Sequence, residues 1–272
     1  MSTVSRRSLL VVVVLLAAIA LPLTLLASHS WGGYHWARTS NPFTVKLGDN
    51  VSSVWDPILS TSSTDWSKST VLDTTIVAGQ SSKRTCSPTS GRVEVCNGTY
   101  GNNGWLGVAR IWVSGAHITQ GSVRLNDTYF NSPTYNTTAW RNLVSCQEVG
   151  HTFGLDHQDE NFSNANLGTC MDYTNNPDSN QHPNTHDYNM LESIYSHLDS
   201  TTTIGQTTRM PNAMTDPEFD HPSQWGRLVR ESRDHGQSTY ELDFGGGRKI
   251  VTFVTWTLEE RGRRAHAASQ LD

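Results

Sequence analysis

Residues 146–173 read CQEVGHTFGLDHQDENFSNANLGTCMDY, and their spacing constrains the chain more than any other stretch. Gln147 and His151 lie four apart, hence on one face of a helix. Trp140, Leu143, Val144, Gln147 and His151 share one arc of the helical wheel, so the two polar side chains point inward with the apolar ones. Glu148 sits about 100° round from Gln147, beside that arc, where a carboxylate suits a general base. Gly154 follows the last helical turn, where a left-handed residue ends a helix at little cost. That reversal can carry His157 back toward His151. Gln147, His151 and His157 are therefore the candidate ligands of one metal ion. A lone His is more often a surface or structural residue; Glu, two His and Gly held in this register are not expected by chance at ordinary residue usage.

Met171-x-Tyr173 follows after a short loop. The whole resembles the zinc motif of the metzincin metalloproteases, H-E-x-x-H-x-x-G-x-x-H with a later Met-turn, except that Gln147 stands where the family has its first His. The resemblance covers roughly Phe43 to Leu198 and is strongest from Cys146 to Tyr173. It implies an α+β, zincin-like fold: a twisted mixed sheet of about five strands over an active-site helix and further helices. It implies Zn2+ held by Gln147, His151 and His157, which polarises a scissile carbonyl and acidifies an attacking water. Glu148 is then the general base, and Tyr173 resembles the tyrosine of the astacin and serralysin branches that ligates zinc or stabilises the oxyanion. Met171 is the apolar floor beneath the metal. Leu106–Val113 corresponds to the family's antiparallel edge strand, along which a peptide or protein substrate adds as an extra strand.

Gln147 decides between two functions. Its carbonyl oxygen is a harder, weaker donor than imidazole nitrogen, yet its NH2 can donate to a nearby carbonyl as a ligating His does. The first reading is a secreted zinc-dependent endopeptidase. The alternative is a catalytically inactive, metzincin-like extracellular protein that binds peptide without cutting it. Retention of Glu148 favours the first, and the lost His favours the second; metal content discriminates them. His117, His182 and His186 occupy no motif position and read as surface or capping residues.

The first 29 residues read as a signal peptide or signal anchor: Arg6-Arg7 precede an apolar run from Leu9 to Leu26. An uncleaved anchor would be a membrane tether, and both readings place the remainder outside the cytoplasm. The four cysteines agree with such a compartment. Their spacing suggests local pairs Cys86–Cys96 and Cys146–Cys170 among three connectivities, with a free thiol or alternative ligand at Cys146 or Cys170 as the competing reading. A net charge of −5 without a long basic run argues against nucleic acid as a partner. Five glycosylation sequons, at Asn50, Asn97, Asn126, Asn136 and Asn161, matter only in a eukaryotic secretory host.

Residues 30–200 read as the metzincin-like domain. Strands are expected at Phe43–Leu47, Val71–Ala78, Val93–Val95, Leu106–Val113 and Ser122–Asn126. Helices are expected from Val51 to Leu59, from Thr137 or Thr138 to Phe153, and from Thr185 or His186 through Leu191, Ile194, Tyr195 and Leu198. Residues 201–272 read as an extension: a linker over Thr201–Gln224, then a β-hairpin with strands near Tyr240–Phe244 and Ile250–Trp256, then a solvated basic tail around Arg261–Arg264. A lone hairpin is marginal in water, so it should dock on the domain or on a partner. No cysteine switch or prodomain is visible before the first strand, so any latency would come from elsewhere.

Overall fold

The computed structural model describes residues 29–208, 210–215 and 221–268. The expected signal or anchor segment falls on residues 1–29 and lies outside them but for His29. No described helix is long and apolar enough to cross a membrane.

The architecture is α+β, built on one large mixed sheet. Strands β1 (His35–Trp36), β2 (Phe43–Asn50), β3 (Leu72–Ala78), β4 (Val93–Gly98), β5 (Trp105–Ser114) and β6 (His117–Asn126) come before the long central helix. Strands β7 (Arg227–Glu231), β8 (Gln237–Asp243) and β9 (Arg248–Trp256) come from the C-terminal segment. The order across the sheet is β3-β2-β4-β6-β5-β9-β8-β7, with β1 beside one end of β6. Strands β3, β2, β4 and β6 run parallel to one another, while β5 is antiparallel to both β6 and β9.

Two sequence expectations are corrected here. Strand β5 is not an edge: β6 covers one side and β9 the other, with Val108 opposite Val254 and Ile111 opposite Val251. The sheet has nine strands among the described residues rather than about five, because the hairpin docks on the domain, one of its two expected placements, and extends the same sheet. The physical reason is burial on both faces. From β5, Leu106, Ala109, Ile111 and Val113 enter the main core, whereas Trp105, Val108 and Trp112 enter a second cluster on the opposite face. Strand β9 does the same, sending Val251 and Phe253 one way and Ile250, Val254 and Trp256 the other. Strands that bury both faces belong inside a sheet.

Helices α1 (Asp56–Trp66) and α2 (Thr138–His151) pack on the main core face. Pro57 falls in the first turn of α1, where its missing N–H costs nothing. Thr137 caps α2 by accepting the Trp140 N–H, as its sequence suggests. Ser62 Oγ meets Ser145 Oγ at 2.9 Å, and the Trp66 indole donates to the Cys146 carbonyl at 3.1 Å, fixing α1 against α2. Helix α3 (Thr185–Ile194) begins with a reciprocal capping box between Asn184 and Asp187. It ends earlier than its apolar spacing suggests, leaving Leu198 exposed. The basic tail folds as helix α4 (Leu258–Ala268): Arg261 lies over the Phe162 ring and Arg264 pairs with Glu231.

Both disulfides form as the local spacing suggests, Cys86–Cys96 and Cys146–Cys170. Two disulfides suit an oxidising compartment. The second ties the residue before Gln147 to the residue before Met171.

Candidate functional site

Helix α2 delivers Gln147, Glu148 and His151 to the core face of the sheet, all three buried. Gly154 then turns the chain with φ of 92°, and a Cβ there would stand 2.1 Å from the Tyr34 carbonyl oxygen. Only glycine meets both demands. The turn sets the His157 ring against His151, centroids 4.5 Å apart and nearly perpendicular.

Hydrogen bonds fix which nitrogen of His151 is free. The Leu155 carbonyl, 2.9 Å from His151 Nδ1, can only accept, so Nδ1 carries the proton. Burial holds this imidazole neutral, its pKa pushed down to about 3, so Nε2 presents a lone pair. His157 Nδ1 lies 3.0 Å from the Tyr173 hydroxyl and 3.4 Å from Asp156 Oδ1. Burial alone would raise Asp156, but His157 and the Arg230 guanidinium outweigh it and hold the carboxyl down at about 2. A charged acceptor on that side draws the His157 proton to Nδ1. The Nε2 atoms of both His residues are buried without a hydrogen-bond partner. Burying two such acceptors unpaired is unfavourable, and imidazole nitrogens held this way from behind fit a metal ion. Met171 packs against Gly150 of α2, its sulfur 2.9 Å from where a Cβ there would stand.

Gln147 is on the expected arc, but its amide is committed elsewhere. Its Nε2 donates to the Cys170 carbonyl at 2.9 Å. Its Oε1 accepts from Gln237 Nε2 at 2.7 Å and lies 2.9 Å from Thr255 Oγ1. Both lone pairs of that oxygen face the C-terminal hairpin, so the structure brings together His151, His157 and Tyr173 while directing Gln147 to strands β8 and β9.

Glu148 lies against β5 because Gly107 has no side chain; a Cβ there would stand 2.6 Å from Glu148 Oε1. Gly107, Thr255 and Gln237 are register partners across β5, β9 and β8. Thr255 Oγ1 is 2.7 Å from Glu148 Oε1 as well as 2.9 Å from Gln147 Oε1. A threonine hydroxyl has one hydrogen, and the Gln147 oxygen can only accept. Both contacts are hydrogen bonds at once only if Glu148 is protonated and donates to Thr255, which donates to Gln147. Burial pushes in the same direction, lifting the Glu148 carboxyl to about 8. Its Oε2 is buried without a partner.

The hairpin also closes the site sterically. Phe253 of β9 stacks on the His151 ring at 4.4 Å between centroids. Beside Gln147 and Tyr173 a cavity of about 20 Å³ remains, bordered by Gln237, Thr255 and Trp256. It has room for roughly one water molecule.

Sequence reasoning missed Thr255, Gln237, Phe253 and Asp156 as parts of this centre. For Phe253 a signal existed in the two-sided apolar run of β9; for Thr255 and Gln237 none did. No protein-family model matches the chain, and no curated protein matches it either. Fold and site alone therefore define its class: a disulfide-bonded α+β protein with a buried pair of histidines whose free nitrogens could hold a metal.

Proposed function

We propose that the chain is a secreted zinc-dependent endopeptidase of metzincin type, held latent by its own C-terminal strands. The observation that carries the reading is the pair of buried, unpartnered Nε2 atoms on His151 and His157, with Glu148 buried on the same helix as His151. His151 and His157 would hold zinc, and Gln147 Oε1 becomes available as a third donor once Thr255 and Gln237 release it. Zinc there supplies Lewis acidity toward a scissile carbonyl. The chain's own residues do the rest. Glu148, once ionised, takes a proton from water at Oε2 and returns it to the leaving amine. Tyr173, whose hydroxyl burial holds well above the usual phenol range, stays protonated and can donate to a developing oxyanion. A peptide would pair with β5 in the place β9 now occupies.

The non-catalytic reading, an extracellular peptide-binding protein on the same scaffold, draws on one observation: β9 fills the edge that substrate would need. The discriminating experiment measures zinc content and hydrolysis of an unstructured protein. It compares the native chain with the chain nicked in residues 201–226, so that the hairpin can exchange. Activity that appears on nicking and disappears in Glu148→Ala, with zinc retained, supports the peptidase. Zinc uptake without turnover in either form favours the binding protein.

A further inference from the structure

Away from the His151–His157 pair, three more ligand-type side chains converge: His29, just before β1, and His186 and Asp187, in the first turn of α3. Their ligand atoms all lie within 4.8 Å of one another. His29 is 4% exposed and Asp187 0%, and His29 Nε2, His186 Nδ1 and Asp187 Oδ1 are each buried without a hydrogen-bond partner. Three orphaned atoms on three neighbouring side chains are not the ordinary state of a protein interior.

The bonds behind these atoms aim them. His29 Nδ1 lies 2.8 Å from the Asp156 carbonyl, which can only accept, so Nδ1 carries the proton and Nε2 of the neutral ring has the lone pair. Asp187 uses its other oxygen, Oδ2, for the Thr169 hydroxyl and the Asn184 N–H, leaving Oδ1 turned toward His29 Nε2 at 3.9 Å. The His29 and His186 rings stack, centroids 4.7 Å apart and 19° from parallel, so neither ring donates to the other's face. Direct hydrogen bonding within the trio is thus incomplete at this spacing, and an ion between the three atoms would satisfy all of them.

We infer that His29, His186 and Asp187 form a second metal site, for a divalent transition-metal ion such as zinc. Two imidazole nitrogens and one carboxylate oxygen match zinc's preferred donors, with a remaining position for water on the side of the partly buried His186. The role the placement supports is structural. Asp156 N–H donates back to the His29 carbonyl at 2.5 Å, and Ser30 bridges Leu155. Thr169, bound to Asp187, precedes Cys170 and Met171. An ion here would clamp the N-terminal lead and α3 onto the two segments that carry His157 and Met171.

The test uses the full chain, purified without chelator and titrated with Zn2+ and with Co2+. It compares the native protein, the His151→Ala/His157→Ala double variant and His186→Ala. His186→Ala spares the Asn184–Asp187 capping box, so the helix start should persist; His29→Gln is a second variant on the other side of the site. The double variant should retain one equivalent of Zn2+ and give Co2+ visible bands of nitrogen–oxygen coordination. His186→Ala and His29→Gln should each lose one equivalent while keeping native circular dichroism. A folded double variant that takes up no Zn2+ overturns the proposal, as does unchanged stoichiometry in both single variants. If the native chain and the double variant bind the same single equivalent, the His151–His157 reading fails and this site stands.

Discussion

Glu148→Gln offers a direct probe of the closed site, because it replaces an acid that should be neutral with an amide that always is. The folded Glu148 carboxyl stands at about 8 against 4.5 for the unperturbed group. The sign follows from proton counting. Between those two values the folded chain keeps this proton and the unfolded chain has lost it, so unfolding releases a proton and rising pH favours it. The stability Glu148 contributes as a neutral acid is present in full below pH 4.5 and is lost as pH rises through 8. At about 1.4 kcal/mol per pH unit over roughly 3.5 units, the native protein should lose about 5 kcal/mol relative to Glu148→Gln, an upper figure since relaxation and water entry would reduce it. Other titrating groups are common to both proteins and cancel in the difference. The assay is urea unfolding at several pH values from 5 to 8, with chelator present so that no metal titrates alongside. A difference in unfolding free energy that stays flat across that range would refute the protonated Glu148–Thr255–Gln147 chain.

Thr255→Val should remove the hydroxyl that joins Glu148 to Gln147, costing about 1–3 kcal/mol of metal-free stability. It should at the same time tighten Zn2+ binding by freeing the Gln147 oxygen, which calorimetric titration reads. Replacing Cys146 and Cys170 together by Ser removes a link spanning 24 residues and should lower stability by roughly 3–4 kcal/mol in denaturant unfolding. Gly154→Ala should destabilise by more than about 1 kcal/mol, since the new Cβ meets the Tyr34 carbonyl at a left-handed position. It should also weaken zinc uptake by shifting His157, and unchanged uptake would separate the turn from the site.

The local parts of this molecule were legible because local rules govern them. Helix α2 and its Thr137 cap, the Gly154 turn, the alternating strands and both short-range disulfides depend on residues near one another in sequence. So do the buried positions of Gln147 and His151, which follow from a single helical arc; Glu148, beside that arc, is buried by β5 at Gly107 and by Thr255 of β9. What escaped was long-range pairing. Nothing in the spacing of His29, His186 and Asp187 brings them together; the fold does that by laying the N-terminal lead along residues 155–156 and α3 beside it.

The placement of the C-terminal hairpin is the intermediate case, and it changes the meaning of the motif. Leu106–Val113 has apolar residues at both parities, LGVARIWV, and Ile250–Trp256 does too, IVTFVTW. An edge strand with one solvated face alternates; these two do not, and that is the pattern of strands buried on both sides. Read jointly, they favour pairing with each other. Once they pair, Thr255 must stand opposite Gly107, over Glu148, and Phe253 must reach His151. The residues proposed to bind zinc and move a proton are then the same residues the hairpin covers. Opening the site requires breaking the β5–β9 ladder and exposing Phe253 and Val251 from the main core. That cost falls on the whole sheet, so an opening event should couple to unfolding of β8 and β9 together. Hydrogen exchange checks this: Phe253 and Val254 amides should exchange with the global unfolding free energy in the intact chain. Exchange at a much lower free energy would mean that the hairpin opens as a lid, independent of the core.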